Sequence, residues 1–445
     1  MLRSALGIDV GLTGVRAAVL SEDGRLLGSA RRPVEPALAP GRAEGDPRAW
    51  LAAALDAGRE ALAGEPADAV GVAALGSAPI LVDAALEPLT PALLFSLDTR
   101  AGDEAGRLGV TNDHALPKLL WWQEHHPELV ERAAWALDAT GFLVARLTGV
   151  PVMDAITHAD YDVRGVLSPL PLPEPLDPLA VAGGLLEAAA RGLGLAPGTP
   201  VAVGTYDSFA DVAGVGVRRP GDACVILGST LIIGRVVESP VAIDGLAVAR
   251  YPGEGLLVGG WTASAGSSIS WFEREFGAAD VSELEPGAGG LVALPYLAGE
   301  RTPVWDPHAR GLLLGVTLST TREEAYRAIV DSVALSALEH AKRLEDAGLG
   351  PDLWLAGGGG TRHEAWLHAT CDALGAPLAV AAHAGEAIGP AVLALRAIGA
   401  EPKLDPVRRV EPDPRRHERF EQVYDVYRGL HPALAPAMRR LAALE

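Results

Sequence analysis

A general base needs a carboxylate placed where burial and neighbours can tune it, and Asp207 has such a setting. It stands in Gly204-Thr205-Tyr206-Asp207-Ser208-Phe209-Ala210-Asp211, directly after the apolar run Val201-Ala202-Val203, near the midpoint of the chain. The same side chain could equally cap a helix of small residues. Two other stretches suit phosphate. In the first, Leu6 to Val10 and Val15 to Leu20 read as strands around Gly11-Leu12-Thr13-Gly14. Turn amides and the Thr13 hydroxyl can donate to phosphate oxygens, and Asp9 at the strand tip can orient Mg²⁺ or its waters. In the second, Ala223 to Leu227 and Leu231 to Ile233 flank Gly228-Ser229-Thr230 in the same order of strand, hydroxyl-bearing turn and strand. Either stretch alone also fits an ordinary hairpin. The repetition suggests two related halves, each offering a phosphate-facing hairpin to one cleft.

A fourth stretch suits a nucleotide. Leu353 to Ala356 reads as a strand, Gly357, Gly358, Gly359 and Gly360 follow, and a helix from about Arg362 to Leu374 carries Trp366 and Asp372. Helix amides and absent side chains can admit a ring and phosphates, although a bare glycine run can also be a flexible turn. On the acceptor side, Leu93 to Arg100 ends an apolar segment with Asp98 and Arg100. Such a pair can hold hydroxyls by charge-assisted bonds, or serve as a helix cap and surface ion pair.

Regular elements must hold these groups in place. Leu26 to Ala30 after Asp23-Gly24 extends the first hairpin into an antiparallel meander. A helix is expected around Pro47 to Leu62, a buried strand at Val70 to Leu75, and a further strand at Ile80 to Asp83. The periodicity from Leu116 to Leu147 is helical, with Trp121, Trp122 and Trp135 facing a core. A long helix is expected from about Thr321 to Ala347, and Glu386 to Ala391 opens an alanine-rich one.

The whole-chain numbers set the frame. At 445 residues, with 49% hydrophobic residues, two domains are the natural expectation. The formal net charge is −20 and the only lysines are Lys118, Lys342 and Lys403. That balance argues against nucleic acid or an anionic membrane as a standing partner. Cys224 and Cys371 lie far apart, without metal-type spacing, which fits a reducing cytoplasm. No targeting segment or membrane span is expected. The chain has no Gly-Lys dipeptide, no G-x-G-x-x-G, no G-x-S-x-G and no H-E-x-x-H, which removes the P-loop, Rossmann, serine hydrolase and zinc protease routes.

Taken together and in order, these stretches resemble the FGGY family of carbohydrate kinases, within the actin and hexokinase superfamily, over nearly the whole chain. Asp9 to Arg16 and Gly228-Ser229-Thr230 look like the family's two phosphate hairpins, and Gly204 to Asp207 falls at its catalytic aspartate. Lys118-Leu119-Leu120-Trp121 resembles part of one family signature. Pro295 to Pro303, Gly311 to Val316 and Ala328 to Asp331 resemble the second. Gly357 to Gly360 with Trp366 and Asp372 resembles the adenosine motif.

The resemblance implies an α/β fold of two ribonuclease H-like (actin-like ATPase) domains with a central cleft, residues 1–217 and 218–445. It implies transfer of the γ-phosphoryl group of ATP to a small sugar or polyol, with a ketopentose such as xylulose as first choice and a non-catalytic sugar or nucleotide sensor as the alternative. Asp207 would be the catalytic base and Asp9 the residue oriented on Mg²⁺. Gly11, Thr13, Gly14, Arg16, Gly228, Ser229, Thr230, Gly357 to Gly360 and Trp366 would hold the nucleotide. Ser77, Asp98, Arg100, Tyr206 and Asp207 would face the acceptor. The protein would be cytoplasmic and possibly a homodimer. Xylulokinases commonly carry Gln-Met-His, and glycerol kinases an Arg-Glu pair, where this chain has Leu75-Gly76-Ser77. His368 stands where the family usually has glutamine. These departures leave the sugar open.

Overall fold

The computed structural model describes residues 2–163 and 165–444. The chain forms two compact units, residues 1–214 with 386–404, and residues 215–385 with 405–445.

The first unit is built on a sheet whose strands are β1 (Ser4–Gly11), β2 (Gly14–Ser21), β3 (Leu26–Pro33), β4 (Ala69–Ala74), β5 (Val181–Gly184), β6 (Pro200–Ala202) and β7 (Thr205–Tyr206). Their order is β5-β6-β4-β1-β2-β3, with β7 also on β4. The expected meander β1 to β3 is antiparallel, and β4 lies parallel to β1. A parallel neighbour requires a crossover, which α1 (Pro47–Leu62) supplies. Asp46 caps α1 by accepting from the Arg48 amide at 2.9 Å, Pro47 supplies a preset first turn, and Trp50, Ala54, Ala57, Ala61 and Leu62 form the buried stripe. Helix α2 (Ala139–Thr148) is capped by Asp138, and α3 (Asp207–Gly214) starts where β7 ends.

The second unit repeats this plan. Its strands are β8 (Ala223–Leu227), β9 (Leu231–Val237), β10 (Ala247–Arg250), β11 (Leu256–Trp261), β12 (Trp354–Gly357), β13 (Leu378–Ala381) and β14 (Pro406–Val410), in the order β10-β11-β9-β8-β12-β13-β14. Here too an antiparallel meander runs on one side of the first strand, and parallel strands β12 and β13 continue on the other. Helices α4 (Gly266–Phe276), α5 (Arg322–Asp346) and α6 (Glu364–Leu374) belong to this unit. Helix α5 opens with a capping box between Thr321 and Glu324, which fixes its start at the expected place. Both sheets thus have the ribonuclease H-like order that the family resemblance implies.

The chain then returns to the first unit. Helix α7 (Ile388–Ala397) packs on β1, β4 and α3. Its approach is closer than any side chain would allow: a Cβ on Gly71 would lie 2.0 Å from Pro390 O, and one on Gly389 would lie 2.2 Å from Ala210 O. Glycine is required by backbone proximity there. A helix α8 (Pro414–Ala442) completes the second unit.

One sequence expectation needs correction. Residues 116–147 are not helical throughout. Helices Ala115–His125 and Pro127–Arg132 are followed by a strand, Trp135–Leu137, before α2. Pro127 starts a new helix and Asp138 caps the next, so the helical period is interrupted twice, and the strand pairs with Ile80–Val82. Among the described residues, no helix is long and apolar enough to cross a membrane.

Candidate active site

Sheet register assembles the acidic cluster of the first unit. In the β1–β2 pair Asp9 lies opposite Arg16, and the two form an ion pair. In the parallel neighbours Asp9 is level with Ala73 on β4, and Tyr206 of β7 is level with Ala74. The carboxyl ends of β1, β4 and β7 therefore finish together, the position where open α/β sheets bind ligands. Gly204 reaches the required turn at φ 72°, with Val72 O only 2.0 Å from where a Cβ would be. Thr205 is held from behind, with its hydroxyl on Asp154 Oδ1 at 3.0 Å and its carbonyl accepting from Thr140 Oγ1 at 3.2 Å.

Asp207 is half-buried at the first position of α3. Its Oδ1 accepts from the Ser208 amide at 2.7 Å, a bond to the next residue rather than to the second or third amide that a capping side chain takes. Burial pushes its carboxyl up to about 8, and the charges of Asp9 and Asp211 add to the rise, against Arg16. Asp211, one turn later on the same face of α3, is pushed up to about 7 by burial and by Asp9. Asp9, first of all, and then Asp211 and Asp207 raise the Arg16 guanidinium against its burial. Three carboxylates thus act on one guanidinium. The spacing of four from Asp207 was the signal that could have found Asp211.

This surplus of negative charge suits a divalent cation. Asp9 Oδ1 is buried and has no hydrogen-bond partner, so it fits the role of an Mg²⁺-orienting oxygen. Among the described residues no three or more His, Cys, Asp or Glu side chains are grouped to hold a metal by themselves. Phosphate oxygens and water would have to complete the coordination.

The residues expected on the acceptor side lie in the same unit but in different settings. Ser77 is buried, and its hydroxyl donates to the Asp113 carbonyl. Tyr206 packs its ring on Gly76, where a Cβ would lie 2.1 Å from it, and donates to Asp160 Oδ2 at 2.8 Å. Burial lifts the Asp160 carboxyl above the usual range, against His114. Asp160 was not among the sequence candidates, and nothing local marks it. Lys118 is buried, with its ammonium on the carbonyls of Asn112 and His114, and burial lowers it to about 8.

Asp98 departs from the ligand-facing place expected for it. It has no exposed surface, and its carboxylate accepts from the Ala43 amide at 3.0 Å and from Arg100 Nη2 at 2.6 Å. Arg100 also pairs with Glu44 at 2.6 Å and lies 5.0 Å over the Trp121 ring. Asp98 therefore acts by fixing Arg100. Trp121 and Trp122 are buried packing residues, as expected.

In the second unit the Gly228–Thr230 turn stands free at its tip. Gly228 and Thr230 are half-exposed and Ser229 is exposed, and among the described residues the Ser229 and Thr230 amides donate to no other residue. Gly358 approaches the same strand end, with a Cβ position 2.5 Å from Leu227 O. Gly359–Arg362 forms a single 3₁₀ turn, and His363 caps α6 by accepting from the Trp366 amide at 3.1 Å. Trp366 cannot offer its ring to a ligand. It is 3% exposed and lies under Gly360 and Gly266, whose Cβ positions would be 2.1 and 3.1 Å from it. It is the floor that lets glycine backbones from two segments meet. Thr13 and Gly11 lie at the β1–β2 turn of the first unit, with Thr13 exposed and Gly14 against Arg32 O. An apolar cavity of about 680 Å³ in the second unit, among Trp271, Phe272, Phe276, Leu312 and Ile329, includes none of these residues.

Known proteins show the same arrangement of sequence. The model described as the FGGY family of carbohydrate kinases, N-terminal domain, matches residues 4–112, and the one described as its C-terminal domain matches residues 239–398. The xylulose kinase of Escherichia coli (strain K12) is 27% identical, over 97% of this chain and 99% of its own. The xylulose kinase of Bacillus subtilis (strain 168) is 25% identical, over 97% of each. The gluconokinase of Bacillus subtilis (strain 168) is 23% identical, over 98% of this chain and 96% of its own. Among solved structures, xylulose kinase from Rhodospirillum rubrum superposes with a TM-score of 0.85 at 26% identity, over 98% of this chain and 100% of that one. Gluconate kinase from Lactobacillus acidophilus shares the fold, with a TM-score of 0.88 at 20% identity over 99% and 100%.

Proposed function

Because the chain belongs to the FGGY family of carbohydrate kinases, we propose that it phosphorylates a neutral sugar, with a ketopentose such as xylulose as the first acceptor to test. The observation that carries this reading is Asp207 at the joint carboxyl end of β1, β4 and β7, a carboxyl raised to about 8 beside Asp9 and Arg16. A base works best with a pKa near the operating pH. The acceptor hydroxyl would give its proton to Asp207 as its oxygen forms a bond to the γ-phosphorus of ATP. The bond from that phosphorus to the β–γ bridging oxygen breaks, and ADP leaves. Amides and hydroxyls at Gly11, Thr13, Gly14, Gly228, Ser229 and Thr230 would hold phosphates, so catalysis is mostly positioning and electrostatics. When bound, Mg²⁺ held through Asp9 would offset phosphate charge and, as a positive neighbour, draw Asp207 down toward neutrality. Gly357 to Gly360 would admit the adenosine.

The likeness to gluconokinases supplies a second reading, with an aldonate as acceptor. The chemistry of the acceptor side favours the neutral sugar. Arg100 is already engaged by Asp98 and Glu44, Lys118 by two carbonyls, and Tyr206 by the Asp160 carboxyl. To meet a carboxylate ligand, Arg100 or Lys118 would have to leave one of these partners. The test is ADP release measured across D-xylulose, other ketoses, polyols and gluconate. Turnover with a neutral sugar at least about tenfold above gluconate in kcat/KM is expected. Preference for gluconate would overturn the substrate assignment, and ADP release independent of every acceptor would overturn the kinase reading.

A further inference from the structure

The Gly228–Thr230 turn is hung on a frame supplied by residues 262–267. The Ala265 amide donates to Ser229 O at 2.9 Å, the Gly266 amide to Gly228 O at 3.1 Å, and the Ser267 amide and hydroxyl to Ser229 O at 3.1 and 2.9 Å. At its other end the frame holds β9: the Thr262 amide donates to Leu231 O at 3.0 Å, and the Leu231 amide donates to Thr262 Oγ1 at 2.9 Å. These bonds use the turn's carbonyls and leave its amides pointing elsewhere.

One carboxylate ties this frame down. Glu300 Oε1 accepts from the Ala263 amide at 2.6 Å and from the Arg301 amide at 2.8 Å. Glu300 is itself fixed, 4% exposed, with its backbone joined to Asp306 by two hydrogen bonds of 3.0 Å. Next to it, Thr302 Oγ1 donates to Trp261 O at 3.0 Å, so residues 300–302 grip both sides of the bend after β11. Glu300 Oε2 is buried without a partner. Leaving a polar oxygen unpaired in the interior is costly, and burial pushes the Glu300 carboxyl up to about 8.

We propose that Glu300 is a positioning residue for the nucleotide phosphates: by holding Ala263 it fixes the 262–267 frame, and through it the direction of the Ser229 and Thr230 amides. This rests on the reading of Gly228–Thr230 as a phosphate turn. Glu300→Ala and Glu300→Gln are made in the full chain, and KM for ATP, KM for the sugar and kcat are measured with the melting temperature. Glu300→Ala should raise KM for ATP by about tenfold or more, the size of leaving a buried amide without its acceptor, with KM for the sugar within about twofold. Glu300→Gln keeps the acceptor and should restore KM for ATP to within about threefold. An unchanged KM for ATP in Glu300→Ala, an equal rise in both KM values, or a Glu300→Gln as impaired as Glu300→Ala would overturn the proposal. Should Glu300→Ala fail to fold, Thr262→Val carries the test, since it cuts the frame from Leu231 and should give the same ATP-selective rise. Ser229→Pro removes a turn amide directly. If Ser229→Pro raises KM for ATP and Glu300→Ala does not, the positioning role fails. If neither does, the phosphate-turn reading fails.

Discussion

Asp207→Asn preserves side-chain volume and the acceptor for the Ser208 amide, and removes one of the three carboxyl groups acting on Arg16. The wild-type carboxyl is displaced from 3.8 to about 8, first by burial and then by Asp9 and Asp211. At ~1.36 kcal/mol per unit the displacement has a ceiling of ~6 kcal/mol. The side chain keeps some exposure, and solvent screening brings the measurable part to roughly 1–3 kcal/mol. A carboxyl whose folded pKa lies above its unfolded value holds its proton more tightly when folded. Stability therefore falls as pH rises from about 4, and the penalty is complete above about 8. Urea unfolding of both proteins at several pH values should show Asp207→Asn gaining on the wild type across this window, with no further change beyond it. Activity should move the other way, with sugar-dependent ADP release down ~10²–10⁴-fold. A folded variant with near-normal sugar-dependent turnover would refute the base assignment. A stability gap that is the same at both ends of the window would refute the electrostatic account.

Arg16→Gln removes a positive neighbour that lowers Asp207, so the rise of activity with pH should shift upward by roughly half a unit or more. A pH–rate profile that does not move would place Arg16 outside the cluster's electrostatics. Gly71→Ala forces a Cβ to within 2.0 Å of Pro390 O and should cost roughly 1–3 kcal/mol by urea unfolding. A cost below about 0.5 kcal/mol would mean that α7 does not sit as closely on β4 as described.

The sequence by itself determined the parts whose signals are local. Strand, turn and strand around Gly11 to Gly14 and around Gly228 to Thr230 are legible because alternation, glycine and a short hydroxyl-bearing turn act over a few residues. Asp9, inside β1 two residues before its end, and Asp207, directly after β7, stand out locally as acidic residues beside apolar strand runs. Helix α1 was legible from its cap and its apolar stripe, and α5 from its length and period. Tertiary structure decided what depends on distant neighbours. Residues 386–404 join the first unit because Gly71 and Gly389 let backbones meet, a fit that neither segment reveals alone. Asp98 and Trp366 proved to be supports rather than ligand-facing groups, because other segments cover them: Ala43 and Arg100 in one case, Gly266 and Gly360 in the other. Asp211 entered the acidic cluster only once β1 and β2 had placed Asp9 and Arg16 beside α3. A residue's type sets the chemistry it can do, but its burial and charge environment are summed over segments far apart in the chain, and only the folded chain performs that sum.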